Sequence, residues 1–321
     1  MRSVKVLFAL TTLAVLTGQT LRPQAFPPDL VLDPSHLRGE SRQGPWSLAA
    51  PEGAEGEFLR QQRWQLPTPM SPKTAHAFLY RPRGDGPFRL AVIAHASTEN
   101  ALRRAQMPQP EYRSLAAFLV ARGFAVLVPE RLGHGATGGG YLEDQGGCEN
   151  ADYSNSGHET AVQIALAEQA MRGQAFIRKD GVVVIGHSAG GWGALDLAGR
   201  RLDGISAIIV FAPGRGGHAD DVPGKVCAAD KLIKTAEEFG GRARIPVTWL
   251  VADNDSYFPP KFSSELADSF RRGGGKVSFA VLPVVGSEGH AMAETEDGVN
   301  IASRELDRAL KPPAPATAKK P

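Results

Sequence analysis

Val182-Val183-Val184-Ile185 is an unbroken apolar run that ends in Gly186-His187-Ser188-Ala189-Gly190, a G-x-S-x-G, and continues into Gly191-Trp192-Gly193. A continuous run of aliphatic residues is the pattern of a central parallel strand covered on both faces. The small residues around Ser188 suit a sharp strand-to-helix turn, in which a serine is held in a strained backbone conformation and larger neighbours would clash. Together they predict a serine hydroxyl raised above a sheet at the start of a helix, the placement of a nucleophile.

The rest of the chain repeats the same alternation on a larger scale. Strands are expected at Phe58–Leu66, Thr74–Tyr80, Leu90–His95, Ala125–Pro129, Val182–Ile185, Ile205–Phe211, Val247–Val251 and Val277–Leu282. Helices are expected over about 111–122, 157–172, 189–200, 228–239, 260–272 and 296–310. Strands alternating with helix-period stretches predict an α/β fold with a mostly parallel central sheet of about eight strands and helices on both faces. Pro213 to Arg244 is long for a crossover and reads as a small insertion after the sixth strand. Residues 56–310 then form one domain, with an irregular arm at 21–55 and a disordered Pro/Ala/Lys tail at 311–321.

Hydrophobic residues at 42% and charged residues at 22% exclude a disordered chain, a coiled coil and a multi-span membrane protein. With 36 Lys+Arg against 34 Asp+Glu, nothing suggests a nucleic-acid partner. Arg2 and Lys5 precede the apolar run Val6 to Leu16, with small or polar residues after it, so residues 1–20 read as a secretory signal peptide. Gln19 stands where a lipid-bearing cysteine would be needed, so the expectation is a secreted or periplasmic protein with no membrane partner after signal removal. Cys148 and Cys227 are the two cysteines. In an oxidising compartment a disulfide between them is the first expectation, two free buried thiols the alternative.

Ser188 needs a base, expected in the loop after the last strand, where His290 follows Gly286-Ser287-Glu288-Gly289. The carboxylate that orients it belongs after the preceding strand, where Asp253 and Asp255 compete; Asp255 is favoured because Pro259-Pro260 opens the next helix at a suitable spacing. An oxyanion needs preorganised donors, the backbone N–H of Ala189 and one from the turn after Leu90–His95, with Ser97 first and Ala96 next. Gly133-His134-Gly135-Ala136-Thr137-Gly138 matches G-x-G-x-x-G, but no helix is predicted to follow it, so a dinucleotide site is rejected. No metal-binding spacing occurs, and no cofactor is expected.

These motifs, with His95-Ala96-Ser97, Pro129 to Gly139 and Phe211-Ala212-Pro213-Gly214-Arg215-Gly216-Gly217, resemble the α/β-hydrolase superfamily over about residues 70–305. Within it they are similar to a dienelactone-hydrolase-like branch of exported bacterial proteins. The resemblance implies an α/β-hydrolase fold, a Ser188, Asp255, His290 triad and cofactor-free ester hydrolysis. Both cysteines fall in segments shared with that branch, which implies their bond. Two departures stand out: Ala96 replaces the usual glycine of the oxyanion turn, and Ser188 replaces the cysteine of the dienelactone hydrolases proper. The leading reading is a secreted serine carboxylesterase that cleaves a small or medium ester through an acyl-enzyme. A peptidase, thioesterase or acyltransferase with the same triad, or a non-catalytic exported binding protein, are the alternatives. Arg131, His134, Tyr141, Arg215 and Trp192 are expected near the pocket.

Overall fold

The computed structural model describes residues 49–200 and 202–311. The expected signal peptide, most of the arm and the tail beyond residue 311 lie outside them. In chain order the elements are β1 (Ala50–Glu52), β2 (Gln62–Pro67), β3 (Thr74–Tyr80), β4 (Arg89–Ala94), α1 (Ala101–Ala105), α2 (Arg113–Val120), β5 (Phe124–Pro129) and α3 (Tyr153–Arg172). They continue with β6 (Val182–His187), α4 (Ala189–Leu197), β7 (Ile205–Phe211), α5 (Ala229–Arg242), β8 (Val247–Ala252), α6 (Pro260–Gly273), β9 (Val277–Leu282) and α7 (Glu296–Ala309).

The strands form one sheet in the order β1-β2-β3-β5-β4-β6-β7-β8-β9. The pairs from β1 to β5 by way of β3 are antiparallel, and every pair from β5–β4 onward is parallel. The described sheet thus has nine strands rather than about eight, because Ala50–Glu52 pairs with β2 at the edge, within the stretch expected to be irregular. The first expected strand also starts later. Phe58–Arg60 is a single 3₁₀ turn in which Leu59 has φ 52°, so pairing begins only at Gln62.

β6 is buried at every position, as its composition requires. Ile93, Val126, Val183, Ile185, Ile209 and Leu250 face a core closed by α2 and α7. Alternate side chains such as Val92, Val184, Val210 and Trp249 are equally buried on the other face, the side of α3, α4 and α5. Local chemistry sets the helix ends. Asp152 caps α3 through the Asn155 N–H, Thr295 caps α7 through the Gly298 N–H, and α6 opens on Pro260 and stops at Gly274 with φ 115°.

The insertion occupies residues 212–228 between β7 and α5. Cys227 within it is bonded to Cys148 in the loop after β5. The Cys227 N–H donates to Gly216 O at 2.8 Å, and Tyr153 Oη donates to Cys227 O, so the bond is embedded in a hydrogen-bonded corner. A cross-link over 79 residues restricts the unfolded ensemble by about 4 kcal/mol in the chain-entropy picture. Replacing both residues, Cys148→Ser with Cys227→Ser, should lower the urea midpoint by a corresponding amount while the far-ultraviolet dichroism of the native state is unchanged.

Candidate active site

Ser188 sits between β6 and α4 with φ 53° and ψ −118°, a conformation that costs a non-glycine residue about 1–3 kcal/mol. Its neighbours explain how the turn is tolerated. A Cβ on Gly190 would lie 2.2 Å from the Ala94 carbonyl oxygen, and one on Gly186 would lie 2.5 Å from the Gly191 Cα. Only glycine lets α4 start in contact with the end of β4. The Ser188 N–H donates to Phe211 O at 2.9 Å and its carbonyl accepts the N–H groups of Trp192 and Gly214, which hold the turn from both sides. Ser188 is 7% exposed, and it lines a cavity of about 300 Å³.

His290 lies in the 3₁₀ turn Gly289–Ala293, whose first N–H groups are fixed by Glu288: its Oε1 accepts the His290 N–H at 2.9 Å. His290 Nδ1 is 3.0 Å from Asp255 Oδ2. The other carboxylate oxygen of Asp255 accepts the N–H groups of Tyr257 at 2.9 Å and Phe258 at 2.8 Å, so the acid is committed on both oxygens. Asp253 is exposed instead, and only its backbone N–H is used, by Leu282 O. Burial pushes the His290 imidazole below its ordinary pKa, against the opposing pull of Asp255. Tyr257 stacks on the His290 ring at 4.4 Å, and His218 of the insertion stacks on the far face of Tyr257 at 3.6 Å.

Ser97 and Ala189 line the same cavity as Ser188, as do Tyr257 and Phe258, whose rings pack against His290. The Ser188 hydroxyl has no hydrogen-bond partner among the described residues. Such contacts are commonly long in an empty site and tighten when substrate binds. The Ala96 N–H donates to Tyr112 Oη at 3.2 Å, whereas no described acceptor takes the N–H of Ser97 or of Ala189. Of the two amides in this turn, that of Ser97 is therefore the open one.

Behind the cavity wall lies a chain of buried charges. Glu143 receives Arg131 on one oxygen and Arg215 on the other, the latter at 2.5 Å. Arg215 also donates to Thr160 at 2.9 Å, to Tyr141 Oη at 2.7 Å and to Glu99 at 3.3 Å. Burial would raise the Glu143 carboxyl pKa, but the two guanidinium groups outweigh it and hold it well below the usual range. The Gly133–Gly138 segment is a closed loop, with the Gly133 N–H on Gly138 O and the Thr137 N–H on Glu130, and no helix follows it. Among the described residues no cluster of three or more His, Cys, Asp or Glu could hold a metal ion.

Comparison with known proteins agrees with the fold. The family model for S33 serine aminopeptidases matches residues 109–256. A cold-adapted esterase from an Arctic intertidal metagenomic library superposes with a TM-score of 0.53 at 16% identity, over 82% of this chain and 100% of that one. The Pyrococcus furiosus esterase Pf2001 gives 0.51 at 14% identity, over 84% and 100%. The chain has the α/β-hydrolase fold. A puromycin-hydrolyzing peptidase from Mycobacterium tuberculosis also matches this chain, with a TM-score of 0.51 at 15% identity, over 79% of this chain and 39% of the other. No curated protein sequence matches it.

Several groups near the site are not evident in the sequence. His187, beside Ser188 in the chain, is 2% exposed and donates from Nε2 to the His290 carbonyl at 2.7 Å. Its Nδ1 faces Tyr112 Oη at 2.9 Å and Glu294 at 3.1 Å. Tyr112 therefore joins the turn after β4 to the segment carrying His290, through a residue that starts α2 with φ 49°. Trp192, expected near the pocket, turns the other way: it is fully buried and its Nε1 donates to Tyr153 O in α3. Of the other expected neighbours, Arg215 reaches the cavity, while Arg131 and His134 stand buried behind its wall.

The two histidines of this wall are neutral. His134 Nδ1 lies 3.0 Å from Leu132 O, and burial pushes its pKa down to about 4. Burial also carries His95 well below the ordinary 6.5. Between pH 6.5 and 4 the unfolded chain binds protons that the folded one refuses, so stability is fully present above pH 6.5 and falls as the pH drops through that window. His134 alone should remove roughly 3 kcal/mol by pH 4. Urea unfolding at pH 7 and pH 5 should show the lower midpoint at pH 5, and the His134 ring resonances should not titrate between pH 5 and 8.

Proposed function

We propose that this α/β hydrolase is a serine carboxylesterase that acts through an acyl-enzyme. The observation that carries the reading is the strained Ser188 beside two open N–H groups, in a cavity bordered by the aromatic rings that pack on the buried His290–Asp255 pair. Ser188 Oγ would attack the ester carbonyl while His290 Nε2 takes its proton. Asp255, bonded to Nδ1, keeps the proton of neutral His290 on that nitrogen, leaving Nε2 free to accept, and stabilises the imidazolium that forms. The N–H groups of Ala189 and Ser97 would hold the oxyanion. Collapse of the intermediate passes the proton from His290 to the leaving alcohol, and a water then repeats the cycle to release the acid. Esterases of the same fold are in keeping with this reading. Arg2, Lys5 and the apolar run that follows, together with the Cys148–Cys227 bond, support an exported protein.

A peptidase is the second reading, favoured by the S33 family model. The same residues serve both, so the comparison is between an ester and the amide of the same acyl group. A much faster ester supports the first reading, and an amide turned over as fast supports the second.

A fluorophosphonate should label Ser188 stoichiometrically, and Ser188→Ala should abolish both labelling and ester turnover while the fold persists. Asp255→Asn should lower kcat by about 10³–10⁴-fold, whereas Asp253→Asn should leave it nearly unchanged. Because the base acts neutral and its pKa is lowered, the acid limb of kcat/KM should fall below pH 6.5. Full activity of Ser188→Ala would overturn the assignment.

A further inference from the structure

We infer that the group filling the cavity beside Ser188 is uncharged and rich in hydroxyls, so that the substrate is an acylated sugar or polyol rather than a lipid, aromatic or anionic ester. The inference rests on the esterase reading and adds a substrate class to it.

The cavity wall excludes the other classes in turn. Among the residues that line it, only Ala189 and Phe258 carry wholly apolar side chains. An alkyl chain would strip water from Glu99, Asn100, Arg103 and Asp221 and return no hydrogen bonds, an unfavourable exchange for every group it covers. An aromatic acyl group finds little platform, because Tyr257 has His218 on one face and His290 on the other, and the Phe258 ring packs against Phe262 and His290.

An anionic substrate fails on charge. Arg215 is buried, and its terminal nitrogens are spent on Glu143, Thr160, Tyr141 and Glu99. Two guanidinium groups, Arg103 and Arg215, are matched in the wall by two carboxylates, Glu99 and Asp221, and neither sign prevails.

What remains on offer is hydrogen bonding in both directions. Ser97 illustrates it. His134 uses Nδ1 to donate to the Leu132 carbonyl, so its Nε2 accepts, and the Ser97 hydroxyl 2.7 Å away must donate to it. The Ser97 oxygen, which Tyr141 also contacts, has two lone pairs with which to accept at the cavity wall. Glu99 and Asp221 supply further acceptors, and Arg103 and the Asn100 amide supply donors. A hydroxyl is the neutral group that both donates and accepts, and several on one small scaffold would replace the on the order of ten waters that 300 Å³ holds.

The test is a set of kcat/KM values on the purified protein. 4-Nitrophenyl acetate and octanoate vary the acyl chain. Ethyl acetate, glycerol monoacetate and a mono-O-acetylated methyl xyloside vary the hydroxyls on the alcohol. Octanoate should fall about tenfold or more below acetate, and a hydroxylated acetate should exceed ethyl acetate by about tenfold or more. A gain confined to the xyloside identifies a sugar, and an equal gain with glycerol monoacetate identifies polyols in general. Octanoate at or above acetate, or no gain from hydroxyls, overturns the inference. If that happens while 4-nitrophenyl acetate is still hydrolysed and Ser188 still labelled by a fluorophosphonate, the esterase reading stands without it. Loss of both would remove the esterase reading itself.

Discussion

The approach of α4 to the end of β4 is the constraint on which the site depends. Gly190 brings its backbone so near the Ala94 carbonyl that no side chain fits between them, and Gly186 does the same against Gly191. That contact sets the distance between the start of α4, which carries the Ala189 N–H, and the turn after β4, which carries the Ser97 N–H. The positive φ of Ser188 follows from the same geometry, since the chain must reverse from strand to helix without leaving that contact. Packing of β6 between β4 and β7 supplies the rigidity needed to hold such a turn.

Polar networks then tie the remaining pieces to this centre. Tyr112 and His187 connect the turn after β4 to the His290 carbonyl, so two parts of the site that come from opposite ends of the chain share one hydrogen-bonded support. Glu143 does the same on the other side, linking the segment after β5 to the insertion through two arginines. A buried charge stripped of its partner is costly, which makes such a chain stiff in a way that apolar packing alone is not.

Much of this was legible in the primary structure, and what was not has a common physical cause. Strands β4, β5 and β6 are visible as short apolar runs because each is covered on two faces, β3 by its alternation, and the turn at Ser188 because its steric demand is written in glycines. His290 and the pair Asp253 and Asp255 follow from their places after β9 and β8, but which carboxylate meets His290 depends on where two side chains point within one turn, and residue order alone does not carry that. Helix α1 has five residues, too few to show a period. The additional strand, β1, has three exposed residues with no apolar alternation. Trp192 was misplaced for a related reason: one helical turn beyond Ser188 it faces α3 rather than the cavity. Tyr112, His187, Glu143 and His218 make contacts with partners 39 to 103 positions away, beyond any local pattern.

The Cys148–Cys227 bond makes part of the chain a closed ring. Ser188, Arg215 and His218 lie on that ring, whereas Ser97, Asp255 and His290 lie on the two open arms that leave it. The site is therefore built from one cyclic piece and two linear ones. A protease that cuts once between the two cysteines leaves every part of the site on a single covalent molecule, while one cut between Ser97 and Cys148 or between Cys227 and Asp255 leaves the serine on a different piece from one or more of those residues. The ring thus keeps the serine covalently joined to both open arms whichever single peptide bond between the cysteines is broken.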